Sequence, residues 1–546
     1  MSIRKLSILL VLSALLTGCK ANGPLHVSLD DDVERPPKAA LLLFVDGMDY
    51  VRFNQLLAQG KLPNIRKQFV ENGVCVDHAF SSIPAMTYPN TVSLLTGRFP
   101  GHHDVMGNQW FDRRTLAYPN YVTAAEYNDV NDHFHWPTLY EVVPKLFTVN
   151  VLGIVARGAT YNVDRHYLEG LGWFLHMYEH VNELAAGGLT DAARVANAVK
   201  RWPSVIVMYF PGVDQIGHEE GSDSHHYGEA MRDLDVQVGR ILNFLQQANV
   251  DLQTYSVLVT DHSHVPTHGS RQVDLLSWFK HHRKLKIHSA RIMGDDYADR
   301  LRELDGDDAV LVDGSYRRVV LYLRGAEGWF KSATRKEILD VLRIDQPEQK
   351  MWEVPGIGLV CIRDGENRVE IFSSRGEAVA ERRKESDDSV SYRLETVAHG
   401  TGVGDPLWYQ ESESVRKFMS AGWHSSRDWL AATAETKYPD FVPQIVEYFD
   451  SRRSGDILVF SDEGWFFAGC EKGEHGAALS RDMHIPMFFS GPDLPKGGRI
   501  SYARLVDVMP TMVDLLGESE RLKEIPPIDG RSLAAQLRSA KVASPP

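Results

Sequence analysis

Cysteine is scarce in this sequence, with four residues among 546. The spacing of Cys19, Cys75, Cys361 and Cys470 fits no cysteine-rich metal site, so cysteine is not expected to carry the chemistry. If Cys19 is modified, the remaining three thiols allow one disulfide at most.

An excess of positive charge is also missing, because the net charge is −14. A nucleic-acid duplex is therefore not an expected partner, since duplex binders normally carry a basic stripe. A small phosphorylated substrate is still compatible with this charge, because metal ions can neutralise it locally. Hydrophobic residues make up 43% of the chain, which is typical of a folded globular protein.

No apolar run reaches the length of about 18 residues that a membrane-spanning helix needs. The N-terminus instead carries Arg4 and Lys5, a short apolar stretch, and a Leu-Thr-Gly-Cys sequence ending at Cys19. This pattern predicts a lipoprotein signal peptide over residues 1–18 and a lipid on Cys19; a plain secretory signal is the alternative. We expect an exported protein on the periplasmic or cell-surface side, anchored to a membrane surface through Cys19.

The rest of the chain divides by composition into a linker and a folded body, with no internal repeat. Residues 19–38 are polar, acidic and proline-containing, as in a linker. Residues 39–290 and 451–540 are predicted to form the two parts of a catalytic core. Between them, residues 291–450 have shorter alternating strands and dense charges, which predict an inserted α+β cap or side domain.

Continuous apolar runs mark the predicted strands of the core, as in parallel strands buried on both faces. These runs are residues 40–45, 147–155, 205–210, 256–260, 457–460 and 485–489. Between two of them, residues 224–247 place apolar side chains three and four positions apart, which predicts an amphipathic helix. Alternating strands and helices predict an α/β fold with a mostly parallel sheet.

Four of these runs lead into residue types that bind metals. A single Asp or His at a strand end is usually structural, but four such ends favour a shared site beyond the carboxyl edge of the sheet. Carboxylate and imidazole groups suit zinc and similar divalent ions, and six ligands suffice for two ions. The six candidates are Asp46, Asp214, His218, Asp261, His262 and His475.

A candidate nucleophile lies in the segment 81–97. Pro89 favours a first helical turn and Gly97 a helix end, so Thr87 is placed at a helix N-terminus, where an anion is favoured. Taken alone, Thr87 would be interpreted as a helix cap. The metal-ligand residues elsewhere favour the nucleophile instead.

Several segments together resemble the alkaline phosphatase superfamily, in particular its type I phosphodiesterase and nucleotide pyrophosphatase branch. The segments are VDGM, MTYPNTVSLLTGRFPGHH with Asn108 following, GVDQIGH, TDH and EHGAALSRDMHIPMFFSGP. The resemblance covers residues 40–110, 205–265 and 455–535. It implies an alkaline-phosphatase-like core and a two-metal hydrolase that cleaves phosphodiester or pyrophosphate bonds through a phosphothreonine.

The resemblance also implies roles for individual residues. One divalent ion, with zinc expected, would be held by Asp46, Asp261 and His262, with Thr87 as its reactive ligand. The second ion would be held by Asp214, His218 and His475. Asn108 would bind a non-bridging phosphoryl oxygen; its own signal is only that of a polar loop residue.

Some alternatives stay open at this stage. His264 or His268 could replace His475 as a ligand, although the surrounding Gly-Glu-His-Gly pattern favours His475. Arg157 could contact phosphate, as in some monoesterase relatives, or form a structural salt bridge. A phosphomonoesterase of the same superfamily and an inactive binding lipoprotein are the alternative functions. The sequence does not fix the natural substrate or the oligomeric state.

Overall fold

The computed structural model describes residue 25 and residues 28–542, apart from 124, 164–176, 316, 343–349, 387–388, 400–401 and 468–471. The predicted signal peptide, Cys19 and Cys470 lie outside the described residues. Cys75 and Cys361 are buried free thiols. Within the described part of the chain, no helix is long and apolar enough to cross a membrane.

Strands occur along the whole described chain. In chain order they are β1 (Ala39–Val45), β2 (Val74–Phe80), β3 (Thr148–Val151), β4 (Tyr161–Val163), β5 (Val205–Phe210), β6 (Thr254–Thr260), β7 (Val265–Pro266), β8 (Ile287–His288), β9 (Ala309–Ser315), β10 (Arg318–Leu323), β11 (Ile357–Arg363), β12 (Arg368–Ser373), β13 (Gly376–Lys384), β14 (Val390–His399), β15 (Gly402–Val403), β16 (His424–Ser425), β17 (Ile457–Ser461), β18 (Gly473–Glu474), β19 (His484–Ile485), β20 (Met487–Ser490), β21 (Gly498–Arg504) and β22 (Lys541–Val542).

Helices lie between most of the strands. In chain order they are α1 (Tyr50–Ala58), α2 (Pro63–Ile65), α3 (Thr87–Thr96), α4 (Pro100–His103), α5 (Leu139–Val142), α6 (Tyr178–Val199), α7 (Gly212–Glu220), α8 (His225–Gln247), α9 (Leu275–Arg283), α10 (Tyr297–Glu303), α11 (Arg335–Leu342), α12 (Glu413–Ser420), α13 (Ser426–Thr433), α14 (Phe441–Tyr448), α15 (Ser480–Met483), α16 (Val508–Leu515) and α17 (Ala534–Arg538).

The first sheet has ten strands and a parallel centre. Its order is β22-β21-β2-β20-β6-β1-β5-β3-β4, with β19 paired to β2. In β1, Leu42 lies between Val207 of β5 and Val257 of β6 in parallel register. All seven residues of β1 are buried, because helices cover both faces of the sheet. The apolar runs at 40–45, 205–210 and 256–260 are thus confirmed as central parallel strands.

Alternate side chains of β1 enter two different helical layers. Leu42 belongs to a hydrophobic cluster with Val92 of α3 and Met512 of α16. Leu43 faces the other side, in a cluster with Leu189 of α6 and with α8. The predicted amphipathic helix is confirmed as α8, which is capped by the Ser224 side chain accepting the Tyr227 N–H.

The second sheet is antiparallel across most of its width and contains the strands β8 to β17. Its order is β15-β14-β13-β12-β11-β17-β10-β9-β8, with β16 paired to β14. It shares a hydrophobic cluster with the first sheet, since Val320 of β10 and Leu359 of β11 are buried with Leu42. The two sheets are therefore packed around a continuous core.

The prediction that residues 457–460 form a strand of the first sheet is wrong. This segment is β17, which pairs antiparallel with β10 and β11, so that Leu458 opposes Val320 and Cys361. A central strand of either sheet is buried on both faces, and its apolar composition does not identify its neighbours. The division of the chain at 291 and 451 stays a prediction, but β17 lies with the second sheet.

Two further expectations also differ from the structure. The run 485–489 is broken at Pro486 into β19 and β20, because proline lacks the N–H that a continuous ladder needs. Both strands pair antiparallel, whereas parallel pairing was expected. In the predicted linker, Leu29 and Val33 are buried against the body, and the Glu34 carbonyl accepts the Trp202 N–H at 2.8 Å. From residue 28 onward this segment is packed.

Candidate metal centre

Three neighbouring parallel strands deliver acidic residues to one edge of the first sheet. Asp46 follows β1, Asp214 lies in the first turn of α7 after β5, and Asp261 follows β6. Because β5, β1 and β6 are adjacent, their carboxyl ends bring these carboxylates together. His262 follows Asp261 directly, and α7 carries His218 one turn after Asp214.

His475 reaches the same edge through a two-residue strand pair. It follows β18, whose Glu474 opposes Val265 of β7, just beyond the Asp261–His262 segment. The pairing joins positions that are far apart in the chain.

The first ligand group contains Asp46, Asp261 and His262, whose ligand atoms lie within 4.8 Å of one another. His262 Nε2 is 3.3 Å from Asp46 Oδ1 and 3.3 Å from Asp261 Oδ2. All three residues are buried. The Tyr209 hydroxyl donates to Asp46 Oδ2, so the other carboxylate oxygen faces His262.

The second ligand group contains Asp214, His218 and His475, again with ligand atoms within 4.8 Å of one another. His218 Nε2 is 3.2 Å from Asp214 Oδ2, and His475 Nε2 is 4.0 Å from Asp214 Oδ1. The rings of His262 and His475 stack with centroids 3.6 Å apart, so the two groups adjoin. The structure therefore brings all six predicted residues together, in the two predicted sets.

The three histidines share one orientation. Their Nδ1 atoms lie near backbone carbonyls, at 3.0 Å for His218 and Gly473, 3.1 Å for His262 and Ser263, and 2.9 Å for His475 and Ala85. When Nδ1 carries the proton and donates it to a carbonyl, the free lone pair of the ring is on Nε2. Here each Nε2 faces the carboxylates. This is the usual arrangement of metal-binding histidines and their supporting partners.

The carboxylates of the centre lie close together and are buried, so their negative charges repel one another. Burial and then the charge of Asp46 raise the pKa of Asp261 well above its usual value. Burial and the charge of Asp214 also raise the pKa of Asp46. Asp261 Oδ2 is fully buried and, among the described residues, has no hydrogen-bond partner. Divalent cations would satisfy this oxygen and offset the negative charges, so the residues present fit such ions.

Thr87 lies beside the first ligand group, at the N-terminus of α3 as predicted. Its Oγ1 is 3.4 Å from Asp46 Oδ1 and 3.3 Å from His262 Nε2. Met86 is the N-cap, and Gly97 ends the helix in the left-handed conformation with φ of 68°. The Thr87 hydroxyl, a helix N-terminus and side chains of metal-ligand type thus lie together.

Asn108 contacts the residue after Thr87. Its Oδ1 accepts the Tyr88 N–H at 3.1 Å, which holds the amide at the N-terminus of α3. The position agrees with the predicted phosphoryl contact; the role itself stays a prediction.

Sequence reasoning missed several supporting residues of the centre. Asn90 binds the loop before Thr87, because its Nδ2 donates to the carbonyls of Ser82 and Pro84. Glu474 is buried with Oε2 at 3.4 Å from His218 Nδ1. A buried Asn within α3 and an acid next to His475 were the available signals, but neither pattern is specific.

The competing histidines have other positions. His264 is fully buried, and its Nε2 is 2.7 Å from Asp214 Oδ1, so it binds a candidate ligand and lies outside both ligand groups. His268 is exposed. The geometry therefore favours His475 over both. Arg157 forms an ion pair with Glu141 at 3.1 Å and donates to the Phe134 carbonyl, which favours its structural interpretation.

A third cluster of metal-ligand residue types is better explained as ion pairs. His102, Glu447 and Asp450 lie within 4.8 Å of one another, but Arg382 also pairs with both acids. Burial opposes protonation of His102, yet hydrogen bonds to Asp450, Asp529 and Glu447 outweigh it and raise its pKa to about 12. A protonated imidazole is not a metal ligand.

Comparisons of sequence relate the chain to known proteins. Residues 40–484 match the profile described as type I phosphodiesterase/nucleotide pyrophosphatase. An uncharacterized pyrophosphatase/phosphodiesterase of Schizosaccharomyces pombe is 24% identical over 234 residues, 41% of this chain and 45% of that protein. Human ectonucleotide pyrophosphatase/phosphodiesterase family member 1 is 23% identical over 278 residues, 49% and 28% of the two chains. Human bis(5′-adenosyl)-triphosphatase is 22% identical over 284 residues, which are 51% of this chain and 56% of that protein. The matches thus span only part of each relative, at most 56% of its length.

Comparisons of structure lead to the same group. Murine ectonucleotide pyrophosphatase/phosphodiesterase 5, solved as an inactive threonine-to-alanine variant in complex with AMP, has a TM-score of 0.54 at 14% identity, covering 92% of this chain and 99% of that chain. Human ectonucleotide pyrophosphatase/phosphodiesterase 5 has a TM-score of 0.55 at 16% sequence identity, and the match again covers 92% of this chain and 99% of that chain. These likenesses show the fold. The predicted alkaline-phosphatase-like fold, with a mostly parallel central sheet and additional sheet structure, is confirmed.

Proposed function

The chain belongs to the type I phosphodiesterase/nucleotide pyrophosphatase family, and we propose that it hydrolyses phosphodiester or pyrophosphate bonds in small phosphorylated substrates. The observation that carries this proposal is the position of the Thr87 hydroxyl, beside Asp46 and His262 at a helix N-terminus. A hydroxyl next to two adjoining sets of metal-ligand side chains is suited to attack phosphorus.

Two divalent cations, with zinc favoured by the mixed carboxylate and imidazole donors, are the proposed cofactors. One would be held by Asp46, Asp261 and His262. The other would be held by Asp214, His218 and His475. When bound, such ions act as Lewis acids that lower the pKa of a coordinated hydroxyl and offset charge on phosphoryl oxygens.

The protein residues then have distinct tasks. Thr87 Oγ1 would attack phosphorus, so that a phosphothreonine ester forms as the bond from phosphorus to the leaving oxygen breaks. Water would next attack this ester and release the Thr87 hydroxyl and the phosphorylated product. Since Asn108 Oδ1 is occupied by the Tyr88 N–H, Asn108 Nδ2 is available to donate to a phosphoryl oxygen. The N-terminus of α3 favours the negative charge of that group.

A nucleotide is the proposed substrate class. Support comes from two relatives by name, the human bis(5′-adenosyl)-triphosphatase and the murine structure in complex with AMP. A phosphomonoesterase is the alternative. The salt bridge of Arg157 with Glu141 removes one residue that would have favoured it.

Location is proposed from the N-terminal sequence alone. The Leu-Thr-Gly-Cys pattern at Cys19 supports an exported protein attached to a membrane surface by lipid. Membrane fractionation of the wild type and of Cys19→Ser checks this, because the variant should leave the membrane fraction.

Matched esters test the function directly. The metal-loaded protein is assayed on p-nitrophenyl phosphate and bis-p-nitrophenyl phosphate, with zinc measured on the same sample. We expect bound metal and a higher kcat/KM for the diester. Faster cleavage of the monoester would make the protein a phosphomonoesterase, and a metal-free, inert protein would favour a binding lipoprotein.

A further inference from the structure

Arg318, the first residue of β10, is a buried cation with an unusual set of neighbours. Its side chain is 2% exposed. Nη2 donates to the Tyr448 hydroxyl at 2.8 Å, and Nη1 lies 3.5 Å from Met86 Sδ. Nε has no hydrogen-bond partner. In the part of the chain that the structure describes, no carboxylate lies within 4.0 Å of its nitrogens.

Three other buried arginines of this protein each face an acid, whereas Arg98 and Arg283 donate to backbone carbonyls. The adjacent Arg317 pairs with Asp482 at 3.0 Å, and both side chains are fully buried. Arg504 pairs with Asp440 and Arg113 pairs with Asp456. Burying a charge without a partner is costly, and the fold avoids that cost at these positions. Arg318 differs from all of these, because in the described part of the chain its guanidinium donates to neither an acid nor a backbone carbonyl.

The neighbours of Arg318 place it next to the candidate catalytic groups. Met86 is the N-cap of α3 and precedes Thr87. Gly107 precedes Asn108, and a Cβ at Gly107 would lie 2.7 Å from Arg318 Nη1. The guanidinium thus contacts the side chain of the residue before Thr87 and lies close to the residue before Asn108. A cation near a helix N-terminus is also disfavoured by the helix dipole, which adds to the cost of its burial.

A bound anion would offset both costs of burying Arg318, namely the lack of an acidic partner and the unfavourable helix dipole. Asp46, Asp214 and Asp261 contribute three negative charges, and two divalent cations would contribute four positive ones. The buried Glu474, 3.4 Å from His218 Nδ1, contributes a fourth negative charge. With Arg318 included, the loaded centre therefore has a net charge of about +1, which an anionic phosphoryl group would neutralise. Tyr448 does not supply the missing charge, because burial raises the pKa of its hydroxyl.

We propose that Arg318 supplies a fixed positive charge to the phosphoryl pocket from the second sheet, and that it thereby strengthens binding of doubly charged phosphate groups. This inference rests on the proposed function. It assigns the second sheet a part in the site, through an electrostatic field and not through direct contact. Its effect should grow with ligand charge, so inorganic phosphate and phosphate monoesters should depend on it more than diesters.

Arg318→Gln tests this charge, and Arg318→Lys restores it. Tyr448→Phe is the matched control, because it removes the hydrogen bond to Nη2 and keeps the cation. The assays use metal-loaded protein and measure inhibition by inorganic phosphate, kcat/KM on p-nitrophenyl phosphate and bis-p-nitrophenyl phosphate, metal content and Tm.

For Arg318→Gln we expect phosphate inhibition to weaken about tenfold, equivalent to about 1.4 kcal/mol, and the monoester to lose more activity than the diester. Metal content should stay unchanged and Tm should not fall, because an unpaired buried charge has been removed. Arg318→Lys should recover most of the phosphate affinity, and Tyr448→Phe should stay within about twofold of wild type.

Unchanged phosphate inhibition, or equal losses on both esters together with a lower Tm, would show that Arg318 is only structural. A variant that does not fold would also overturn the proposal, which predicts no loss of stability. If the wild type itself cleaves neither ester, the proposed function fails instead, so the two failures are distinguishable.

Discussion

The hydrogen bond from His264 to Asp214 gives the most quantitative test of the second ligand group. His264 Nε2 lies 2.7 Å from Asp214 Oδ1, and the ring is fully buried. The ring fits there because position 217 is glycine; a Cβ on Gly217 would lie 2.9 Å from His264 Nε2. The contact therefore fixes the carboxylate while Asp214 Oδ2 faces His218.

His264→Leu removes this donor and keeps an apolar side chain in the space. A hydrogen bond to a charged group contributes about 1.5–3 kcal/mol. Each tenfold change in affinity corresponds to about 1.4 kcal/mol, so the second metal should bind about ten- to a hundredfold more weakly. Residues that support metal ligands typically have effects of this size.

Competition with a chromogenic chelator measures both metal affinities in the same titration. His264→Gln should recover part of the loss, because an amide can donate to Asp214. His268→Leu is the matched control, since His268 is exposed and outside both ligand groups. If His264→Leu binds two metals as tightly as the wild type, the hydrogen bond does not position Asp214.

Three other substitutions test separate parts of the structure. Thr87→Ala should keep both metals and lose turnover by at least about a thousandfold, because the attacking oxygen is gone; rates near wild type would remove Thr87 from its role. His475→Ala should lose one metal per chain by elemental analysis, whereas full occupancy would redirect attention to other ligands. His102→Gln should flatten the pH dependence of unfolding. The pKa of His102 is raised in the folded state to about 12, so its contribution is complete below about pH 6.5 and is lost as pH rises. The wild type should therefore lose more unfolding free energy between pH 7 and 10 than the variant; equal slopes in urea titrations would contradict this.

The catalytic side of the fold could be predicted because its signals are local. Each central parallel strand is a continuous apolar run, since both of its faces are buried. The residue after such a run must lie at the carboxyl edge of the sheet. This reasoning was sufficient to bring Asp46, Asp261 and His262 together. Thr87 was placed by Pro89, which lies in the first turn of α3, and by Gly97, which ends the helix.

The remaining features depend on pairing that no local pattern specifies. Residues 457–460 look like a core strand, yet their neighbours are β10 and β11 of the second sheet. Leu29 and Val33 lie in a polar segment, but burial of two side chains is enough to fix it against the body. His475 depends on the short pairing of β18 with β7, so the apolar run at 457–460 indicated it through the wrong sheet, and the resemblance to a known family was needed to prefer it to His264 and His268.

Arg317 and Arg318 show most clearly why charge in this site escapes sequence analysis. The two residues are adjacent and identical in type, and both are buried. Arg317 meets Asp482, whereas Arg318 meets Met86, Tyr448 and the backbone near Gly107. The packing of the second sheet on the rest of the protein decides whether each arginine forms an ion pair, and with which acid. A charge without an acidic partner therefore becomes visible only once the fold is assembled, and its contact with Met86, the residue before Thr87, is the reason we propose a bound anion as its counter-charge.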